Sequence, residues 1–456
     1  MPKRLSIYNA TTLRYGATNF ITNMAPLMQN TFIAFFLTTV VMIDNASLTG
    51  VLTLTRSIDL ILLPLIGIVI QSSNPRMGRI RFWLLIAGAA SIPFFTLQFT
   101  ALGWNGADPV TFVFYCVMYL GALILVNVGQ TAYSAAINLV AHTPQERINC
   151  SAVRSQCNTL GKIIFGATSV LVIGGIGGWL GSAGLGYTAL ALMIAVLTAV
   201  FYGNIMSMIK GREPYVPRRT QAKAEKVHLL DMLRYIFTRP LLTLVGAGAL
   251  IRVATYLVSG LAAYYYSYVA GSMEMLAVYL TLTNSLVFVG AFIGPFIKDG
   301  FKLGGKWTYV VGLALYSVCS LLTYVFGASP LMFTILLSLC SVGFGMCMSL
   351  EIGLFGHCAQ WTVATKKKDV TAFLFSLTAM PAKIGTTLAG LILGLGLMAI
   401  GFDAQASETA NSVVDGLRTL MALLPAGAAA LGIVSMVFFP LTDSRMEEIQ
   451  AAMNDE

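Results

Sequence analysis

The chain has 456 residues, of which 57% are hydrophobic and 10% charged, with a mean hydropathy of +0.78 and a formal net charge of +9. Water-soluble domains carry about 25% charged residues, so this composition cannot clothe a water-facing surface. The apolar runs are continuous and not alternating, which excludes a transmembrane β-barrel and leaves an all-α, polytopic membrane protein.

Taken in chain order, apolar runs long enough to span fall at 16–43, 49–70, 82–102, 110–139, 148–179 and 184–209. They resume at 241–270, 275–297, 307–327, 330–360, 370–400 and 417–440, making twelve predicted transmembrane helices. The first run begins after Arg14 and reads as a span, not as a cleaved leader. Between the sixth and seventh runs, residues 210–240 hold eight Lys or Arg against three acids, with three prolines. This segment is expected to be a cytoplasmic basic linker. It divides the chain into an N-terminal six-helix bundle, 1–209, and a C-terminal six-helix bundle with a short cytoplasmic tail, 241–456.

Cations set the expected topology. Alternate connections hold Lys3, Arg4 and Arg14; Arg76, Arg79 and Arg81; Arg147; the linker; Lys298, Lys302 and Lys306; Lys366, Lys367 and Lys368; and Arg445. The intervening loops hold Asp44, Asp108, Glu274, Asp403, Glu408 and Asp415 and essentially no cations. The positive-inside rule then places both termini in the cytoplasm of a multi-pass protein of the cytoplasmic (inner) membrane. The halves also repeat a feature: Gly67 precedes Gly78-Arg79, and Gly294 precedes Gly305-Lys306, by the same interval. With the six-plus-six split, this points to a major facilitator fold with a central cavity between two bundles.

Seven scattered cysteines form no C-x-x-C pair, and His142, His228 and His357 form no metal-binding pattern. No metal, cofactor or nucleic-acid site is expected, and no loop gathers the His, Asp and Glu that an enzyme would need. Ionisable residues at bilayer depth are costly and are functional candidates by default. They are Arg56 and Asp59, Arg154 and Lys162, Arg252, Glu351, and Lys383: five cations against two acids. Arg56 and Asp59, three apart, share a helix face, which suits both an ion pair and a carboxylate that titrates with cavity state. Lys383 stands between Pro381 and Gly385, with the proline expected to kink its helix. Arg154, Lys162 and Arg252 suit snorkelling, pairing with Glu351, or binding of an anionic substrate that would supply the missing counter-charge. The tyrosines Tyr264, Tyr265, Tyr266 and Tyr268 read as interfacial belt ahead of a sugar platform.

Several segments resemble the glycoside-pentoside-hexuronide:cation symporter family. They are Arg14-Tyr15-Gly16 followed by Asn23; Arg56-Ser57-Ile58-Asp59 followed by Pro64; Gly78 to Trp83; Tyr133-Ser134-Ala135; Glu146-Arg147; Arg154; and Lys383-Ile384-Gly385. The ending, Pro440 to Asp443 and Glu448-Ile449, is similar to the family's glucuronide branch. The resemblance implies a secondary transporter of a sugar-like or organic-anion substrate in contact with membrane lipid, expected to act as a monomer. It implies substrate contacts from Asn23, Gln130, Tyr133, Arg154, Arg252 and Lys383. Cation coupling would fall to Asp59, Asn127 and Lys383, with Arg56, Lys162 and Glu351 as charge partners.

The departures from the pattern are informative. Leu63 replaces the second aspartate of the family signature, and Asn23 and Gln130 stand where acids are common. Gly356-His357 and Gln360-Trp361 replace an acidic pattern. A sodium ion prefers several hard oxygen ligands, whereas a proton needs one titratable group, so the coupling ion is expected to be H+ ahead of Na+. An exporter or exchanger of the same fold is the alternative.

Overall fold

A computed structural model describes residues 8–106, 108–141, 144–212, 238–301, 303–366, 374, 377–405, 410–443, 445, 446 and 448. Most of the predicted linker, His142, His228, Lys367, Lys368 and the start of the run at 370–400 lie outside the described residues. Among the described residues every regular element is helical.

The helices are α1 (Ala10–Thr22), α2 (Met24–Phe35), α3 (Asn45–Ser72), α4 (Arg79–Leu97), α5 (Pro109–Val140), α6 (Pro144–Trp179) and α7 (Ala183–Met208). They continue as α8 (Arg239–Tyr264), α9 (Met273–Gly300), α10 (Gly304–Phe326), α11 (Pro330–Lys366), α12 (Met380–Ala399), α13 (Asn411–Arg418) and α14 (Leu424–Val437). Eleven segments of the described residues are long and apolar enough to cross a membrane. The 28-residue α3 adds a further long helix. The chain divides into two compact units. One comprises Met1–Ala224, Leu276–Thr281 and Phe402–Ser407; the other comprises Glu225–Met275, Leu282–Gly401 and Glu408–Glu456.

Small residues let the helices approach, as expected where lipid removes the hydrophobic drive between spans. In the first unit, a methyl group on Gly16 would stand 2.8 Å from Val153 Cγ1, and one on Gly161 would stand 2.5 Å from the Phe20 carbonyl oxygen. These two glycines seat α1 against α6. In the second unit, Gly312 of α10 brings Cys347 Sγ and the Gly343 carbonyl of α11 to 2.9 Å of the same imagined methyl. The Ser317 and Ser320 hydroxyls of α10 donate to the Ala426 and Ala422 carbonyls at 3.0 and 2.7 Å.

The loops matched in sequence both hold a glycine in the region that side chains disfavour, but one position out of register: Gly78 before α4 has φ 97°, whereas in the second loop it is Gly304, the residue before the matched Gly305, that has φ 72°. In the second unit the Gly305 N–H donates to both Asp443 carboxylate oxygens at 3.1 Å. Lys306 Nζ donates to the Val437 and Phe439 carbonyls at 3.1 and 2.7 Å, filling acceptors that the end of α14 leaves unused. In the first unit, Asp44 caps α3 by accepting from the Ala46 and Ser47 N–H groups at 3.1 Å. Burial pushes its carboxyl up, but these bonds outweigh burial and hold it below the ordinary carboxylate range.

Three sequence expectations are corrected. The first run, read as one helix over 16–43, is two helices meeting at Asn23, followed by a π turn at Phe36–Val40. Pro26 supplies no N–H for the Thr22 carbonyl, and one turn earlier the Asn19 carbonyl accepts from both Asn23 Nδ2 and the Asn23 N–H, at 3.0 and 3.3 Å. Pro381 does not kink a continuous helix: it lies in the first turn of α12, after a short 3-10 turn at Leu377–Ala379, where a missing N–H costs little. Three of the four tyrosines are core side chains and not an interfacial belt. Tyr264, Tyr265 and Tyr266 are at most 1% exposed; Tyr265 stacks on Phe333, and the Tyr266 hydroxyl meets Thr334 Oγ1 at 2.7 Å.

Candidate functional site

In the first unit the predicted residues gather on α1, α3, α5 and α6. Arg56 and Asp59, 8% and 3% exposed, stand three apart on α3, and each meets a side chain of α5. Arg56 Nε donates to the Tyr119 hydroxyl at 3.0 Å, and Asn127 Nδ2 donates to Asp59 Oδ1. The same helix carries Gln130, whose Nε2 donates to Thr22 Oγ1 at 3.2 Å, at the break between α1 and α2. From there the chain of bonds passes along α1: Asn23 Nδ2 donates to Asn19 Oδ1 at 2.7 Å, and Asn19 Nδ2 donates to the Arg154 carbonyl at 3.2 Å.

Arg154 is held from below by aromatic faces. Its guanidinium carbon lies 5.0 Å from the centre of the Tyr133 ring, and that ring stacks on Tyr15 with centres 4.6 Å apart. Each tyrosine hydroxyl donates to the other's backbone carbonyl, at 2.7 and 3.1 Å, so neither ring can turn without losing a buried bond. The stack presents a fixed π surface to the cation. Asn23, Gln130, Tyr133 and Arg154 therefore belong to one connected structure, while Lys162 lies two turns further along α6, half-buried.

The second unit holds another charged centre. Arg252 of α8 and Glu351 of α11, 7% and 4% exposed, form a two-pronged ion pair: Nη1 to Oε1 at 3.0 Å and Nη2 to Oε2 at 2.7 Å. Nη1 also donates to the Gly248 carbonyl at 3.0 Å, and Nη2 lies 3.3 Å from Met348 Sδ. The Arg252 fork is committed here to Glu351, the pairing that the sequence offered alongside a substrate acid. Lys383 is half-buried in the first turn of α12, where its carbonyl accepts from the Thr386 and Thr387 hydroxyls. A separate groove of about 560 Å3, lined by residues such as Leu250, Leu257, Ile392 and Leu431, is apolar throughout and offers a sugar nothing to bind.

The sequence reading missed Asn19, Thr22 and Tyr119. Tyr15, Asn19 and Thr22 recur at helical spacing in an apolar run, so a polar stripe was available as a signal. Tyr119 carried none, since a lone tyrosine in an apolar span looks like core.

These features define a polytopic helical membrane protein that holds ionisable groups at bilayer depth in both of its units. The chain belongs to the MFS/sugar transport protein family, whose model matches residues 14–443. It is a multi-pass membrane transporter of the major facilitator fold and not an enzyme. It is 25% identical over 447 residues to a glucuronide carrier protein homolog of Escherichia coli, covering 96% of this chain and 94% of that protein. It is 27% identical over 331 residues, 70% and 69% of the two chains, to an Escherichia coli protein provisionally named a 2,3-dihydroxypropane-1-sulfonate exporter. Among solved structures it resembles a bacterial homolog of the human lysosomal transporter Spinster in an inward-facing, unoccupied conformation. The TM-score is 0.69 at 14% identity, covering 96% and 97% of the chains.

Proposed function

We propose that the protein is a proton-coupled symporter that carries a sugar-derived, anionic substrate across the cytoplasmic membrane by alternating access, as a monomer with both termini in the cytoplasm. The observation that carries the substrate class is a guanidinium held at depth inside the first unit: Arg154 lies over the Tyr15–Tyr133 stack, beside the polar chain of Asn19, Asn23 and Gln130. A fork so placed suits a carboxylate or sulfonate on the substrate. The relatives named for a glucuronide and for a sulfonate support this class. Asp59, buried and hydrogen-bonded to Asn127, is the proposed proton carrier, with Lys383 linking ion and substrate.

The test is thermal stabilisation of the purified protein by methyl β-glucuronide, 2,3-dihydroxypropane-1-sulfonate and methyl β-glucoside, each with and without sodium. A ligand at 100 times its Kd stabilises by about 2.7 kcal/mol. Stabilisation by either anion, with no effect of sodium, is the expected result. A larger effect from the neutral glucoside overturns the anion assignment, and a sodium requirement overturns the proton assignment. Export in place of import is the second reading, favoured by the exporter relative. Net flux in vesicles of known orientation separates the two.

A further inference from the structure

The Arg252–Glu351 pair is built into the seat of the helix that carries Lys383. Two glycines make that seat. A methyl group on Gly248 of α8 would stand 2.9 Å from Glu351 Oε1, 3.1 Å from Pro381 Cβ and 3.3 Å from Arg252 Nη1. One on Gly385 of α12 would stand 2.5 Å from Arg252 Cβ and 3.2 Å from the Ala249 carbonyl oxygen. Lys383 lies midway, two residues from Pro381 and two from Gly385. Residues 381–385 thus rest at one end beside the head of the ion pair and at the other end on the stem of Arg252.

We infer that the buried Arg252–Glu351 pair is a positioning element for Lys383, fixing the rotation and height of the first turn of α12 against α8 and α11. The inference rests on the proposed role of Lys383 at the substrate and ion sites.

Stability alone does not account for the pair. Apolar residues of similar volume in place of a buried ion pair are often neutral or stabilising, because two charges need not then be desolvated. A fork gripping a carboxylate with two parallel bonds supplies direction instead. Glu351 can meet both Nη atoms in one orientation only, and the bond from Nη1 to the Gly248 carbonyl ties that orientation to the α8 backbone. The Arg252 stem is then held at both ends, so the surface on which Gly385 rests is rigid. Methionine or leucine at the same positions would fill the volume and allow α12 to slide. Displacements of about 1 Å in a positioning contact change reactivity by large factors.

The experiment is lysine footprinting of the full-length protein in lipid vesicles, using a small amine-acetylating ester with mass-spectrometric readout. The wild type is compared with the double variant Arg252→Met, Glu351→Met. The acetylation rate of Lys383 is expected to change by about threefold or more. Lys306, held by carbonyls elsewhere in the same unit, serves as the internal control and stays unchanged. A merely structural pair would move both lysines together or neither. If the double variant does not fold, Gly385→Ala carries the same expectation: it keeps both charges and lifts α12 off Arg252. A Lys383 rate equal to wild type in a folded variant overturns the inference. The footprint is independent of transport. Unchanged ligand stabilisation in Lys383→Met would instead sink the role given to Lys383 and leave the footprint result standing.

Discussion

Replacing Glu351 with glutamine preserves the shape of the side chain and removes its charge, which makes it a clean probe of the second unit's charged centre. Arg252 would keep one neutral acceptor where it now has two charged ones, at 3.0 and 2.7 Å, and at 7% exposure water cannot take their place. Breaking a buried pair in this way costs about 3–5 kcal/mol, which lowers the ratio of folded to unfolded protein by a factor of roughly 150 to 5,000. Removing both charges with methionines costs far less, since no charge is then left stranded. A double-mutant cycle is therefore expected to give a coupling energy of about 3 kcal/mol or more. Denaturant unfolding in micelles, followed by tryptophan fluorescence, measures all four corners. If Glu351→Gln costs less than about 1 kcal/mol, the pair is not energetically buried and the electrostatic argument fails.

Asp59→Asn keeps an acceptor for Asn127 and removes the only step that a proton can take there. Uptake by this variant in vesicles is expected to lose its response to an imposed pH gradient, and a retained response would move the coupling site elsewhere. Asp44→Ala removes the cap of α3 and is expected to cost about 1 kcal/mol at neutral pH. Because folding holds the Asp44 carboxyl below its ordinary value of 3.8, its contribution is present above that pH and fades as the folded-state carboxyl protonates. The penalty of Asp44→Ala should shrink in step when unfolding is measured at falling pH.

The all-helical class and the positions of charges within apolar runs were legible because each is a property of composition along the chain. A span needs about 20 apolar residues, and a charge inside one stands out at once. The break at Asn23 was hidden because hydropathy does not register hydrogen bonding; Pro26 was the local sign of it. Pairing of Arg252 with Glu351 was one of three sequence readings and could not be singled out, since 99 residues separate them and only the packing of α8 on α11 brings them together. Tyr264 to Tyr266 misled for a related reason. An amphipathic ring belongs equally well at a membrane surface or in a core that offers its hydroxyl a partner, and Thr334 offers one.

The π turns reach furthest beyond the site. One closes α2 at Phe36–Val40, and another closes α8 at Tyr265–Val269, each a few residues before a helix of 28 residues. A π turn holds one residue more than the α-helix around it, a surplus that offsets every later side chain by about 100° and is unfavourable in isolation. A third, Thr419–Leu423, joins α13 to α14 within one run, so the stripe of side chains that α13 begins is carried on by α14 from a face rotated by that surplus residue.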